Sequence, residues 1–309
     1  MRLRTVLGEV PVPSGPVLAH EHLRIDLRRP GGRAPDPAAL LDDETAVGDE
    51  LAELRRSHGL AAVVELTCLG MGRDAAALAR ISERAQVAVV AATGFYYRSF
   101  HPPYVAASGV ADLTDRLLTE IENGLDGTRI RPGVIGEIGT GGAEPADDEE
   151  RCLRAAARAA LGSGLPVATH AHLGRGGLGQ LDVLTAEGLE PGRISIGHQD
   201  LLDDASVHRE LARAGAYVAF DTVGKTSYQS DDVRLRRALD LIEAGHADRL
   251  LLSADVSRAG YLKANGGGGY GTVFGSFVPR LAAEGVDEAT LRLILHDNPI
   301  RFLTSGDTR

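Results

Sequence analysis

The stretch VLAHEH, residues 17–22, sets the pattern by which the rest of the chain is read: a short apolar run ends in side chains that can bind a metal. The same arrangement recurs in GVIGEIG (133–139), PVATH (166–170), RISIGH (193–198) and LLLSAD (250–255). These runs are rich in Val, Ile, Leu and Ala without strict alternation, as expected of strands covered on both faces of a parallel sheet. His20, His22, Glu137, His170, His198 and Asp255 stand at or just past their C-terminal ends.

Outward from these runs, the chain alternates strand and helix almost to its end. The strand-like runs are Val17–His20, Ala61–Leu69, Gln86–Tyr96, Ile130–Gly139, Pro166–His172, Arg193–Asp200, Ala216–Thr222 and Arg249–Asp255, eight in all. Amphipathic helix patterns fall at about 44–58, 74–86, 112–123, 147–163, 177–187, 205–214, 231–244 and 272–284, with a ninth at 287–296. Gly59, Gly124, Gly164, Gly188, Gly215, Gly245 and Gly285 end helical patterns, where a C′ residue adopts positive φ. Eight βα units in 309 residues, without a dividing linker, predict one (β/α)8 barrel domain over 1–309. The Pro/Gly/Arg-rich stretch Arg28–Pro37 reads as a loop near the barrel mouth. All six candidate ligands would then converge on the C-terminal rim, where barrel enzymes carry their chemistry.

Composition narrows the function. A formal net charge of −10 argues against a nucleic-acid partner, which would need a basic stripe. No apolar stretch is long enough for a membrane span or a signal h-region. Two cysteines, Cys68 and Cys152, suit a reducing compartment, and the expected location is cytoplasmic.

The six candidate side chains suit two adjacent divalent cations sharing a water. His20 and His22 are two apart, so on a strand both point to one face. Glu137 lies between glycines in an apolar run, where a carboxylate is costly unless paired or metal-bound. As a bridge it would relieve the repulsion between two cations. His170 and His198 would each supply one imidazole. His172 makes a second HxH with His170, which leaves a swapped assignment open. Asp255 would ligate a metal and pass the proton of the attacking water to the leaving group. His58, His208, His246 and His296 read as surface or capping residues.

Competing motifs are weak. The GxGxxG at Gly174–Gly179 follows the fifth run, not a first βαβ unit. Gly266–Gly269 lacks the GK[ST] of a phosphate loop and reads as a lid or pocket wall, on which Lys263 and Asn265 could touch substrate. No GxSxG is present, which removes the nucleophile-elbow hydrolases.

The strings LAHEHLRIDL, ATGFYY, IENGLDGT, VIGEIGT, FDTVGKTSY, LKANGGGGYG and HDNPIRFL recur in order over nearly the whole chain. Together they resemble the phosphotriesterase family of the amidohydrolase superfamily, in its homology-protein branch. The resemblance implies a barrel with two metals, usually zinc, although such His/carboxylate sites also take Mn, Co or Fe. It implies His20, His22 and Asp255 on the buried metal, His170 and His198 on the more exposed one, and Glu137 as the bridge. Phosphotriesterases proper and the related lactonases carry a carboxylated lysine where Glu137 stands. Tyr96 matches a substrate-side tyrosine of the lactonases; their arginine after the seventh strand reads Thr222 here, and Lys225, three residues on, would supply a cation instead. The expected function is hydrolysis of a small molecule by a metal-bridging hydroxide, with lactones or carboxyl esters first, N-acyl amides as the alternative, and phosphotriesters as a side activity. A metal- or ligand-binding barrel without turnover is the non-enzymatic alternative. Tyr96, Lys225 and Lys263 are the candidate substrate contacts. Relatives are often dimers, which leaves a homodimer as an option.

Overall fold

A computed structural model of the chain describes residues 1–28 and 36–306; most of the expected Arg28–Pro37 loop lies outside them. All eight anticipated strands form, seven of them shorter than the apolar runs that announce them and the first one residue longer: β1 (Val17–Glu21), β2 (Ala62–Glu65), β3 (Ala88–Thr93), β4 (Val134–Thr140), β5 (Val167–Ala171), β6 (Ile194–Ile196), β7 (Tyr217–Phe220) and β8 (Leu250–Leu252). They pair in parallel, in sequence order, as one eight-stranded sheet curled into a nearly closed barrel. Helices α1 (Glu44–His58), α2 (Ala75–Ala85), α3 (Val110–Asn123), α4 (Asp147–Ser163), α5 (Gly177–Ala186), α6 (Ala205–Ala214), α7 (Asp231–Glu243) and α8 (Val278–Ala283) follow the strands in turn. Among the described residues, no helix is long and apolar enough to cross a membrane.

Strand alternation divides the core in two. Val17, Ala19, Ala62, Val64, Val90, Ala92, Tyr217, Ala219 and Leu251 form one buried cluster. Leu18, Val63, Val89, Ala91, Val218, Phe220, Leu250 and Leu252, one residue out of phase, pack with the helices. Leu3, Ile300 and Phe302 join the first cluster. The ninth helix does not stop at His296. It runs from Glu288 to Leu303 through a wider π-turn at Leu293–Asp297. That turn carries the helix into Pro299 where a regular α-turn would meet the proline ring.

The seam between β8 and β1 has no ladder; beside one backbone bond, Asp255 N–H to the His20 carbonyl at 3.3 Å, a side chain closes it. Glu21 Oε1 accepts from Ser253 Oγ and Ala254 N, both at 2.7 Å, and Oε2 accepts from Val256 N at 2.8 Å. The acid between the two histidines of HEH is therefore barrel mortar. Burial pushes its carboxyl up to about 7 despite these donors.

Candidate metal centre

Two local irregularities aim the ligands. The β1–β2 register shifts between Leu18 and Glu21, and the β4–β5 register shifts between Ile135 and Ile138. Bulges of this kind re-aim side chains beside active sites. Glycine is required next to two of the candidate ligands. A Cβ on Gly136 (φ +151°) would lie 2.5 Å from the Ala168 carbonyl oxygen, and one on Gly197 would lie 2.2 Å from that of Thr169.

Glu137 sits at the centre, buried. Its Oε1 lies 3.4 Å from His22 Nε2; its Oε2 lies 3.4 Å from His20 Nε2, 3.1 Å from His170 Nδ1 and 3.8 Å from His198 Nε2. The Oδ1 of Asp255 is 3.3 Å from His22 Nε2. The six residues chosen from sequence are thus brought together. Of the HxH pair, His170 is in the cluster, while His172 is half-buried on the cavity wall, with ring centroids 5.9 Å apart.

What surrounds the rings fixes which nitrogen carries the proton. Asp221 accepts from both His20 Nδ1 (2.7 Å) and His198 Nδ1 (2.8 Å), so each Nδ1 holds the hydrogen and each Nε2 presents a lone pair. The Thr67 hydroxyl donates to Glu65, so it accepts from His22 Nδ1 at 2.9 Å and bares that ring's Nε2 as well. Three inward lone pairs then face a carboxylate, and His20 Nε2 is buried without a hydrogen-bond partner. His198 Nε2 and His170 Nδ1 are 2.6 Å apart. Such an arrangement calls for cations between the groups. The proton affinities show how strongly the surrounding carboxylates draw positive charge, a proton competing with a cation for the inward nitrogens. Burial lowers the His22 ring, but hydrogen bonds to Asp255 and Glu137 push it up to about 10. Burial likewise opposes His198, yet Asp221 lifts it to about 9. Burial and the neighbouring His198 ring pull His170 down to about 4. Burial would raise Glu137, but His20 and His170 hold it well below the usual carboxylate range. Imidazole nitrogens and carboxylate oxygens are the donors divalent transition metals take, so the residues fit a metal pair.

Asp221 was not anticipated as part of the site. The signal was present: it is an acid at the end of the seventh run, the position every other candidate occupies. Behind it, Asp200 accepts from the Asp221 backbone N–H at 3.3 Å and from the fully buried Arg234 at 2.6 Å. Arg234 also reaches the Thr222 hydroxyl (2.9 Å) and the Lys225 carbonyl (3.2 Å). It thereby pins the loop after β7.

A cavity of about 270 Å³ opens over the cluster. Tyr96 and Lys225 line it, with Tyr97 and His172. The Tyr96 hydroxyl lies 3.5 Å from His170 Nε2. Lys225 Nζ is bonded to Asp255 Oδ2 and lies 3.1 Å from Ser257 Oγ. Burial would raise the Asp255 carboxyl, but the Lys225 charge and His22 hold it well below its ordinary value.

Lys263, expected to touch substrate, is not on this wall. Its exposed ammonium pairs with Glu53 of α1 at 2.8 Å, and Asn265 bonds the Ala259 carbonyl. The glycine run beside them is packed: the Tyr270 hydroxyl donates to the His22 carbonyl at 2.7 Å. It backs β1, because glycine there lets Glu50 approach the chain.

His208 is likewise not a surface residue. It is buried against Phe220, its Nε2 2.8 Å from the Gln199 carbonyl and its Nδ1 without a partner. Burial pulls it down to about 4. The unfolded chain binds this proton from about pH 6.5, and the folded chain only near 4, so stability falls as pH drops through that window. Between pH 7 and 5 the loss is expected to be about 2 kcal/mol. Urea unfolding of metal-free protein at both pH values, beside His208→Gln, measures it; equal pH slopes would remove the effect.

Comparison with known proteins agrees with this architecture. Residues 1–303 match the Phosphotriesterase family. The chain is 38% identical to the phosphotriesterase homology protein of Escherichia coli, over 94% of this chain and 98% of that one. The crystal structure of that protein, complexed with phosphate in the active site, superposes with a TM-score of 0.91 at 37% identity, over 94% and 99% of the two chains. The N-acetyltaurine hydrolase of Rattus norvegicus is 32% identical over 98% of both chains. A lactonase from Listeria monocytogenes superposes with a TM-score of 0.89 at 27% identity, over 98% and 99%.

Proposed function

The chain belongs to the phosphotriesterase family, and from that premise we propose that it is a hydrolase working with two divalent cations, zinc by preference, on small carbonyl substrates. The observation that carries the reading is the convergence of three tautomer-locked imidazole lone pairs on Glu137. His20, His22 and Asp255 would hold one cation, His170 and His198 the other, and Glu137 both. When bound, the cations acidify a water between them and polarise the oxygen of the electrophile.

The chain's own residues do the rest. Asp221 and Thr67 keep the imidazoles in the ligating tautomer. Asp255, kept ionised by Lys225, takes the proton of the attacking water and returns it to the departing heteroatom. Tyr96 stands beside His170, where its hydroxyl can orient the carbonyl. Lactones and carboxyl esters are the first substrates, in keeping with the lactonase neighbour. An N-acyl amide reading is favoured by the N-acetyltaurine hydrolase relatives, one of which aligns over 98% of both chains.

The test is a panel of lactones, esters and N-acyl amino acids, run on zinc-loaded, manganese-loaded and chelator-stripped protein. Stripping is expected to abolish turnover and reloading to restore it. Turnover unaffected by stripping, or elemental analysis far below two metal equivalents, would sink the reading.

A further inference from the structure

Tyr96 stands just past the reach of the barrel's backbone pairing. Phe95 still bridges to Leu69, and its carbonyl accepts from Gly139 N at 3.2 Å. One residue on, the Tyr96 hydroxyl nevertheless has a defined place, 3.5 Å from His170 Nε2. Its backbone is held by His101. The His101 Nε2 lies 2.7 Å from the Tyr96 carbonyl oxygen, which can only accept, so that nitrogen carries a hydrogen and donates it. On the other side of the ring, Nδ1 faces Asp148 Oδ2 at 3.3 Å. The His101 side chain is 5% exposed, and Cys152 Sγ packs 3.9 Å from Nε2.

Asp148 is itself pinned. Arg98 Nε and Nη2 reach its Oδ1 at 2.8 and 2.7 Å. The next residue of α4, Glu149, accepts from Arg98 N at 3.0 Å and from Gly141 N at 3.1 Å. The first turn of α4 thus clamps the loop after β3, and His101 passes that grip to Tyr96. Gly139 of β4 lets the same backbone press close: a Cβ there would lie 2.4 Å from Tyr97 N and 2.8 Å from the Tyr96 carbonyl carbon.

Resting on the hydrolase reading above, in which the Tyr96 hydroxyl orients the substrate carbonyl, we propose that His101 is a positioning residue for the reaction: its bond to the Tyr96 carbonyl sets where that hydroxyl stands. His101 acts through Tyr96 alone. A tyrosine hydroxyl lies at the far end of its side chain, so a small backbone rotation is magnified at the oxygen. A misplacement of about 1 Å at a reacting group can cost about 100-fold in rate.

The test uses metal-loaded protein and the best substrate of the panel. Tyr96→Phe, which removes the hydroxyl, is expected to lower kcat/KM about tenfold, the worth of one hydrogen bond. His101→Leu should lower kcat by about tenfold, with KM and metal content close to the parent's. In the Tyr96→Phe background the same substitution should cost less than about twofold, because the placement of a hydroxyl cannot matter once it is gone. Two polar variants guard against a fold defect. A glutamine amide nitrogen reaches the place of His101 Nε2, an asparagine's only that of Nδ1. His101→Gln should therefore stay within about threefold of the parent, and His101→Asn should lose about tenfold. Equal rates for these two variants, or costs that add in the double variant, overturn the positioning role and leave the hydrolase reading standing. Tyr96→Phe at full rate removes the roles of Tyr96 and His101 together, while metal dependence still stands or falls on its own test. No turnover of any panel member by metal-loaded protein removes the hydrolase reading as well.

Discussion

Asp255→Asn is expected to lower kcat by about a thousandfold or more, some 4 kcal/mol of transition-state stabilisation, while the protein retains most of its metal. The reasoning is local. Asp255 Oδ1 lies 3.3 Å from His22 Nε2, and Oδ2 is bonded to Lys225. An asparagine can still offer its carbonyl oxygen toward the cluster, and His20, His22 and Glu137 remain. It cannot take a proton at neutral pH, so the step that carries hydrogen from water to leaving group loses its base. The amide would also turn an N–H toward the Lys225 ammonium or give up that contact, leaving a nearly buried cation unpaired. Metal content by elemental analysis, read beside steady-state rates on the best substrate of the panel, separates the two roles. Full rate in the variant refutes the proton-carrier role. Loss of metal in step with rate makes Asp255 a ligand alone.

Asp221→Asn should act on metal occupancy before chemistry. One carboxylate accepts from two imidazoles, which under the proposed assignment would serve the two different cations. An asparagine has one accepting oxygen and one donating nitrogen. It can keep one ring in the Nδ1–H form, but its NH2 group must face the other ring's Nδ1. That ring then carries its hydrogen on Nε2, where a lone pair is needed. Metal affinity is expected to fall by about 10–100-fold, the usual cost of losing a carboxylate behind a ligating histidine. Stoichiometry at modest free zinc should drop from two equivalents toward one. Competition with a chromophoric chelator measures it, and unchanged affinity for both equivalents would show that Asp221 has no hold on the ligands.

Much of this was legible in the sequence for a definite reason. A strand buried on both faces must be apolar along its whole length, so His20, Glu137, His170, His198 and Asp255 stood out as polar residues ending apolar runs. Helix ends were legible because Gly59, Gly164 and Gly215 take φ of 69°, 82° and 101°, which other residues adopt at a cost. Asp221 went unrecognised as part of the site because an acid next to Thr222 and Gly224 reads equally well as a turn residue. Lys263 was misplaced because nothing local tells whether a lysine on a long loop reaches inward, and here Glu53 of α1 draws it outward. His208 was assigned to the surface because its helix position is amphipathic only in relation to Phe220, a strand residue.

The order of elements, the rim on which the candidate ligands sit and, but for the choice between His170 and His172, the six converging side chains were legible in the sequence, because apolar patterning and strand direction are local properties. Which nitrogen of each imidazole is bare follows from no local pattern. It is decided by Asp221 and Thr67, 201 and 45 residues away from the rings of His20 and His22. The closing of the barrel by Glu21 and the bulges that turn β1 and β4 inward belong to the same class. A hydrogen bond across a barrel depends on where two distant strands come to rest, and only the folded chain brings them together.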